Sequence, residues 1–276
     1  YHFLPGSTIL SLGTAGCNLG CRFCQNWDLT KAGDAERRAL DLPPDKAVDL
    51  AVAHGAPSIA FTYNDPVVFL EYAADTARAC HERGLRTVAV TAGYILPGAR
   101  EALFEHMDAT NVDLKAFTDA FYRKRCGGDL QTVLDTLMFL RRRTRVWLEL
   151  TNLMIPGEND SDKEVDEMTR WVAGELGPDM PMHFSAFHPA WKMTDCPPTP
   201  PATLRRARQI AMGNGVRYAY TGNVRDPEGG RTLCHHCGAT LIGRDGYDLS
   251  EWTLAEGGKC RACGTVCAGV FEKVSG

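Results

Sequence analysis

GTAGCNLGCRFCQNW, residues Gly13 to Trp27, is the stretch on which the reading of this chain turns. It sets Cys17, Cys21 and Cys24 in a CxxxCxxC loop, with the aromatic Phe23 before the last cysteine. The loop follows directly on an apolar run, Thr8–Thr14, that reads as a β-strand. At this cysteine content such a spaced triplet arises by chance in roughly 2% of chains, so the spacing calls for a chemical reason. Three thiolates on one short loop can hold three irons of a [4Fe–4S] cluster. Three ligands rather than four leave one iron open, as a catalytic metal site requires and a structural one does not. A structural or electron-transfer cluster and a zinc site are the alternatives. Trp27, just past the loop, is expected to screen the cluster from water.

Outward from the loop, one rhythm continues to about residue 222. Short runs rich in Val, Ile, Thr and aromatics alternate with amphipathic stretches. The further strand candidates are Pro57–Tyr63, Arg86–Thr91, Ala109–Leu114, Arg145–Leu150, Pro181–Phe187 and Val216–Tyr220. Helices are expected over Asp45–His54, Pro66–Arg83 and Ser161–Leu176, and from about Ala202. Pro66 and Gly84 make a start-and-stop pair for the second of these. Alternating strands and helices imply parallel strands joined by right-handed crossovers. Seven strands fit an α/β fold of the (β/α)-barrel kind, full or partial, with the cysteine loop at the face where barrel chemistry sits. Residues 224–233 read as a linker. The division expected is a barrel core over 1–223 and a small Cys-rich unit over 224–276.

Composition limits the function classes. The chain has 276 residues, 44% hydrophobic and 23% charged, which is ordinary for a globular protein. Its net charge of −4 argues against a general nucleic-acid binder. RRRTR at 141–145 reads as a helix end, where cations are favoured. No run of 18 apolar residues predicts a membrane span, and no secretory leader is visible at the start. Eleven cysteines, clustered rather than evenly spread, fit metal ligation in a reducing cytoplasm better than a disulfide framework.

The last stretch holds Cys234/Cys237 and Cys260/Cys263, each pair followed by glycine. Two CxxCG knuckles supply four thiolates for a closed tetrahedral Zn²⁺ site. A rubredoxin-like iron, an auxiliary Fe–S site and no metal at all are the alternatives. The gap between the pairs, 237 to 260, is slightly longer than usual.

The loop and the strand rhythm together resemble the radical S-adenosylmethionine (SAM) superfamily. There the open iron chelates the amino and carboxylate groups of SAM. One electron from the cluster cleaves the sulfonium to methionine and a 5′-deoxyadenosyl radical, which abstracts hydrogen. FTYNDP, residues 61–66, sits where that superfamily has a Gly-Gly-Glu segment whose backbone contacts the SAM amino group. The resemblance therefore implies cofactor roles for Tyr63, Asn64 and Asp65, and for Phe23 in the loop. VTAGY, residues 90–94, resembles a TNGY-type segment and implicates Thr91, with Ala92 in place of the asparagine. VDLKAF brings Asp113 and Lys115 to the DLK segment of pyruvate formate-lyase activating enzymes, near SAM. Alternation puts both on one strand face. LMIPGENDS, residues 153–161, resembles a further loop of the same group.

Over almost the whole chain the likeness is to the radical SAM proteins of the AmmeMemoRadiSam system. It is carried by FLPGSTILSLGTAGCNLGCRFCQNWDLTKA (3–32), FTYNDP, HFSAFHP, YTGNV and the tail CHHCG…CRACG. That family usually carries a further N-terminal stretch, so a preceding segment is expected. The implied partners are SAM, an electron donor such as a flavodoxin or ferredoxin, and an unknown substrate, which a protein would fit. A glycyl-radical enzyme activase is the alternative function, and a non-catalytic metal-binding scaffold the second. A scaffold would favour a fourth cysteine beside the triplet, and none follows within fifty residues. His183 and His188 are candidates to face substrate, and Glu149, if inward, needs a partner.

Overall fold

Runs of β-branched and aromatic residues alternate with amphipathic helical ones, and each strand pairs with the next in sequence. The computed structural model describes residues 1–31, 39–246 and 248–271. Ala32, Tyr247 and the last five residues, which fall in stretches quoted above, lie outside the described residues. Seven strands form one sheet in chain order: β1 (Leu10–Leu12), β2 (Ser58–Phe61), β3 (Arg86–Thr91), β4 (Ala109–Asp113), β5 (Trp147–Met154), β6 (Met182–Ala186) and β7 (Ala219–Gly222). Every pairing in it is parallel. β1 and β7 remain as edges, so the barrel is partial.

Parallel neighbours need crossovers, and helices supply them. These are α1 (Trp27–Thr30), α2 (Pro44–Ala53), α3 (Leu70–Glu82), α4 (Pro97–Phe104), α5 (Asp119–Phe121), α6 (Leu130–Arg143), α7 (Asp162–Trp171) and α8 (Pro201–Gly213). The helix expected over Pro66–Arg83 is split. The Asp65 carboxylate accepts from Val67 N at 3.2 Å, and a 3₁₀ turn, Pro66–Phe69, precedes α3. α7 continues into a π-helical turn, Val172–Leu176, which closes at Gly177. α6 starts on Asp129, whose carboxylate accepts from Thr132 N at 2.8 Å. A cap of this kind contributes about 1 kcal/mol. Its last turn carries Arg141, Arg142 and Arg143 beside the helix's free carbonyls. Ile59, Phe61, Val112, Leu150 and Phe184 are fully buried in the core.

Residues 224–233, read as a linker, instead fold back onto β7. Thr221 N donates to Gly229 O at 3.1 Å, and the last two residues form β8 (Thr232–Leu233). A side chain at position 229 would sit 1.9 Å from Thr221 Oγ1, so glycine is required there. β8 pairs with β9 (Thr240–Asp245), and β9 with β10 (Asp248–Trp252), both antiparallel. β11 (Leu254–Ala255) and β12 (Lys259–Cys260) form a second small antiparallel pair. The apolar centre of this unit, with Leu241, Ile242 and Leu254, also takes Tyr218 and Tyr220 from the barrel. No helix among the described residues is long and apolar enough to cross a membrane.

A buried hydrogen-bond chain ties the two parts together. The Ala268 carbonyl can only accept, so His2 Nδ1 donates to it at 2.6 Å. In the neutral ring Nε2 then accepts from the Tyr220 hydroxyl at 2.5 Å. That hydroxyl accepts from Thr232, and Thr232 accepts from Arg244 Nη1, both at 2.8 Å. Burial pulls the His2 pKa down to about 4, which keeps the ring neutral. A histidine depressed in the folded state stabilises the fold above its unfolded pKa and loses that contribution as pH falls. This group is therefore expected to remove up to about 3 kcal/mol of stability between pH 6.5 and 4. Urea unfolding at pH 6.5 and 4.5 checks this: His2→Gln should lose less stability over that interval than wild type. Equal losses would mean that His2 titrates as in an open chain.

Candidate functional site

The cysteine loop leaves β1 at its C-terminal end and is pinned from three sides. Gly20 N donates to Cys126 O at 2.7 Å and Arg22 N to Arg125 O at 2.8 Å. The Asn64 side chain donates to Thr14 Oγ1 and Gly16 O, both at 2.9 Å, and accepts from Thr14 N. Asn26 Nδ2 donates to the Tyr63 carbonyl at 2.8 Å. Within this frame the loop closes over a cavity of about 170 Å³ at the C-terminal ends of the strands. Cys17, Cys21, Cys24, Phe23, Tyr63, Asn64, Asp65, Thr91, Asp113 and Lys115 all line it. The structure thus brings every residue singled out for cluster and SAM around one space. A larger groove, about 930 Å³, lies at the opposite face, between Phe3, Arg86 and Trp147, away from the thiols.

The sulfur geometry separates the two cysteine groups. The Sγ atoms of Cys234, Cys237, Cys260 and Cys263 all lie within 4.8 Å of one another, and those of the triplet do not form such a set. Cys234–Cys263 is 3.6 Å and Cys237–Cys260 is 3.7 Å. A tetrahedron with Zn–S arms near 2.3 Å has edges of about 3.8 Å. The tail sulfurs therefore fit one ion. The triplet is no such four-sulfur set, and its three thiolates are the number that a cube of irons with one open corner calls for.

Two lysines line the cavity, Lys31 and Lys115. Lys115 Nζ pairs with Asp113 Oδ2 at 2.9 Å and lies 5.9 Å from the Phe23 ring centre. Burial opposes its charge, but Asp113 and the nearby Cys21 outweigh that and hold Lys115 protonated, well above the ordinary lysine value. The Cys126 thiol against Cys21 stabilises the Cys21 thiolate, and Lys115 adds to this. Burial pushes Cys17 up. Asp65 is fully enclosed, and burial raises its pKa even though Thr91 Oγ1 and the backbone N–H groups of Val67 and Ala92 donate to it. Its carboxylate joins β2 to β3, and Asn64 joins the loop to β2. Both side chains also line the cavity.

Tyr63 carries local strain. Its φ is +70°, its ring is half exposed, and only glycine adopts that backbone without penalty. Tyr63→Gly is expected to leave stability within about 1 kcal/mol of wild type, or to raise it, by denaturant titration. A β-branched residue there should cost more.

Some expectations need correcting. Trp27 is 43% exposed and does not line the cavity. Phe23 and Leu19, each 3% exposed, line it instead. His183 does not reach it either: its Nε2 pairs with Glu149 Oε2 at 2.7 Å, which supplies the partner Glu149 needed. Trp147 Nε1 and His2 N also donate to Glu149. His188 is exposed and meets the Asn223 carbonyl at 3.4 Å. Two neighbours of the triplet were not anticipated. One is Cys126, fully buried against Cys21. The other is Thr30, whose hydroxyl is 3.3 Å from Cys24 Sγ.

Residues 11–171 match the radical SAM superfamily, and the chain belongs to that superfamily. An uncharacterized protein of Methanocaldococcus jannaschii, MJ0808, is 38% identical over 96% of this chain and 78% of its own. The pyruvate formate-lyase-activating enzyme of Clostridium pasteurianum is 27% identical over 57% of this chain and 66% of its own. Among solved structures, a radical SAM methyltransferase from Sphaerobacter thermophilus has a TM-score of 0.59 at 19% identity. It matches 79% of this chain and 67% of its own, a likeness of fold. Membership supports SAM cleavage with an iron–sulfur cluster.

Proposed function

We propose that Cys17, Cys21 and Cys24 hold a [4Fe–4S] cluster with one iron left for SAM, and that the chain abstracts hydrogen from a substrate still to be found. The observation that carries this reading is the single cavity shared by the three thiols and by the residues implicated in SAM binding. When bound, the cluster and SAM supply reductive cleavage to methionine and a 5′-deoxyadenosyl radical. The chain's own part is to position and to exclude water. Phe23 and Leu19 dry the cluster side. The Asp113–Lys115 pair offers a carboxylate and an ammonium to the polar groups of SAM. The backbone at Tyr63, turned by its positive φ, offers main-chain groups. A fourth thiol would close the cluster, but Cys126 is not among the residues lining the cavity.

The likeness to the AmmeMemoRadiSam proteins supports placing the chain in that system. A glycyl-radical activase is the second reading. The similarity to the Clostridium pasteurianum enzyme and the edge of the sheet at β1, which leaves room for a large partner, favour it. We assign Zn²⁺ to Cys234, Cys237, Cys260 and Cys263, in a metal-binding unit over 224–276 appended to the core. A flavodoxin or ferredoxin would supply the electron. The cytoplasm suits the eleven thiols, none in a disulfide among the described residues.

The test is anaerobic reconstitution with iron and sulfide, then dithionite and SAM, with 5′-deoxyadenosine followed by chromatography. Product above the cluster-free control supports the reading. A fully clustered, longer form of the chain that yields none, even with cell extract added, would overturn it.

A further inference from the structure

We propose that Thr30 is a positioning residue that sets the reduction potential of the cluster through a hydrogen bond to Cys24, an inference that rests on the triplet holding the cluster. Thr30 ends α1, six residues after Cys24, and its side chain is turned inward with only 6% exposure. Its Oγ1 lies 3.3 Å from Cys24 Sγ, within hydrogen-bond reach for sulfur. It also lines the same cavity as the three thiols. A free Cys24 thiol could be donor or acceptor in this contact. Once its sulfur is a metal-bound thiolate it has no proton, so the hydroxyl must donate.

The helix holding Thr30 is fixed against the loop. Thr30 N donates to Asn26 O at 2.9 Å, Gly16 N reaches Leu29 O at 3.5 Å, and Lys31 Nζ bonds the Leu19 carbonyl. The hydroxyl is thus presented by a short helix tied to the loop at both ends. Donors to cluster sulfurs tune the potential. The reduced cluster is one charge more negative, so a donor stabilises it more than the oxidised form. Burial strengthens the bond, because little water is present to screen it. A cluster that must pass an electron to SAM needs its potential matched to its donor. Thr30 moves it upward, toward easier reduction.

Thr30→Val keeps the branched shape and removes the hydroxyl, and Thr30→Ser restores the hydroxyl. The readout is the cluster midpoint potential from a spectroscopically monitored redox titration, with iron and sulfide content measured on each sample. In Thr30→Val the ratio of reduced to oxidised cluster at fixed potential should fall about three- to tenfold, tenfold being about 59 mV for one electron. Thr30→Ser should return it to within about twofold of wild type. A fully clustered valine variant with an unchanged midpoint would overturn the inference. Where valine blocks cluster assembly, serine decides: full iron and the wild-type midpoint support the hydroxyl's role, and an equally iron-free serine variant overturns it. A wild-type chain that assembles no cluster is a different result, and it falls on the proposed function alone.

Discussion

Cys17→Ala, Cys21→Ala and Cys24→Ala are each expected to lower 5′-deoxyadenosine formation by at least about a hundredfold, while Cys126→Ala costs only about tenfold. The contrast follows from position. All four sulfurs lie in one neighbourhood, and the cysteine loop bonds to the backbone at Arg125 and Cys126 on either side of Cys21. Only the triplet faces the cavity. Loss of an outer partner of a metal site costs 10–100-fold, and loss of a ligand costs more. Iron content should follow the same division, low in the triplet variants and near four per chain in Cys126→Ala. Equal loss in all four would make Cys126 a fourth ligand, leave no open iron, and favour a scaffold over an enzyme. The assay needs no knowledge of the substrate, because SAM cleavage itself is read.

The residues that could be found from sequence are those whose roles lie in local spacing. The cysteine triplet, FTYNDP, VTAGY and VDLKAF each follow a strand end, and parallel strands deliver their ends to one face. Ten residues spread from Cys17 to Lys115 therefore converge on a single cavity. Strand β3 begins and ends where its alternation predicts, at Arg86 and Thr91. The misses have tertiary causes. Cys126 reaches Cys21 only because the π-helical turn Tyr122–Cys126 packs its end carbonyls on the loop, and no spacing rule links residues that far apart. Trp27 follows the loop in sequence but turns outward with α1, whereas Thr30, one turn on, faces Cys24. The break at Phe69 arises because Asp65 bonds β3 and the first turn at once, so the chain tightens before α3 can begin. The same carboxylate also lines the cavity, where the resemblance implied a cofactor role for it.

Stripping metal from the tail, by chelation or in a Cys237→Ser/Cys263→Ser variant, is expected to lower the melting temperature by on the order of 10 °C. The two knuckles share one backbone pattern. Cys234 N bonds Ala239 O and Cys260 N bonds Thr265 O, each at 2.8 Å. Gly238 N returns to Cys234 O and Gly264 N to Cys260 O, at 2.9 and 2.8 Å. Both glycines hold a positive φ, +75° and +77°, which the knuckle needs and other residues resist. Four thiolates this close would repel one another without a cation among them. The Thr265 hydroxyl pulls Cys263 down to about 6, so that thiol gives up its proton readily to a metal. Beyond the knuckles, the unit has only a few short strands, and small units of this size depend on a metal to fold. Its apolar centre includes Tyr218 and Tyr220, and Tyr220 carries the hydrogen bond to His2. Loss of the metal should therefore loosen β7 and the first residues of the chain as well as the tail. Hydrogen exchange should rise in β9, β11 and β12 and also around Tyr220, while β2 to β4 stay protected. Metal analysis of the wild type should find one zinc per chain beside the iron. Acid should release it, because its thiolate ligands must then take up protons. A metal-free tail variant with wild-type melting and exchange would mean that the four sulfurs meet without holding an ion.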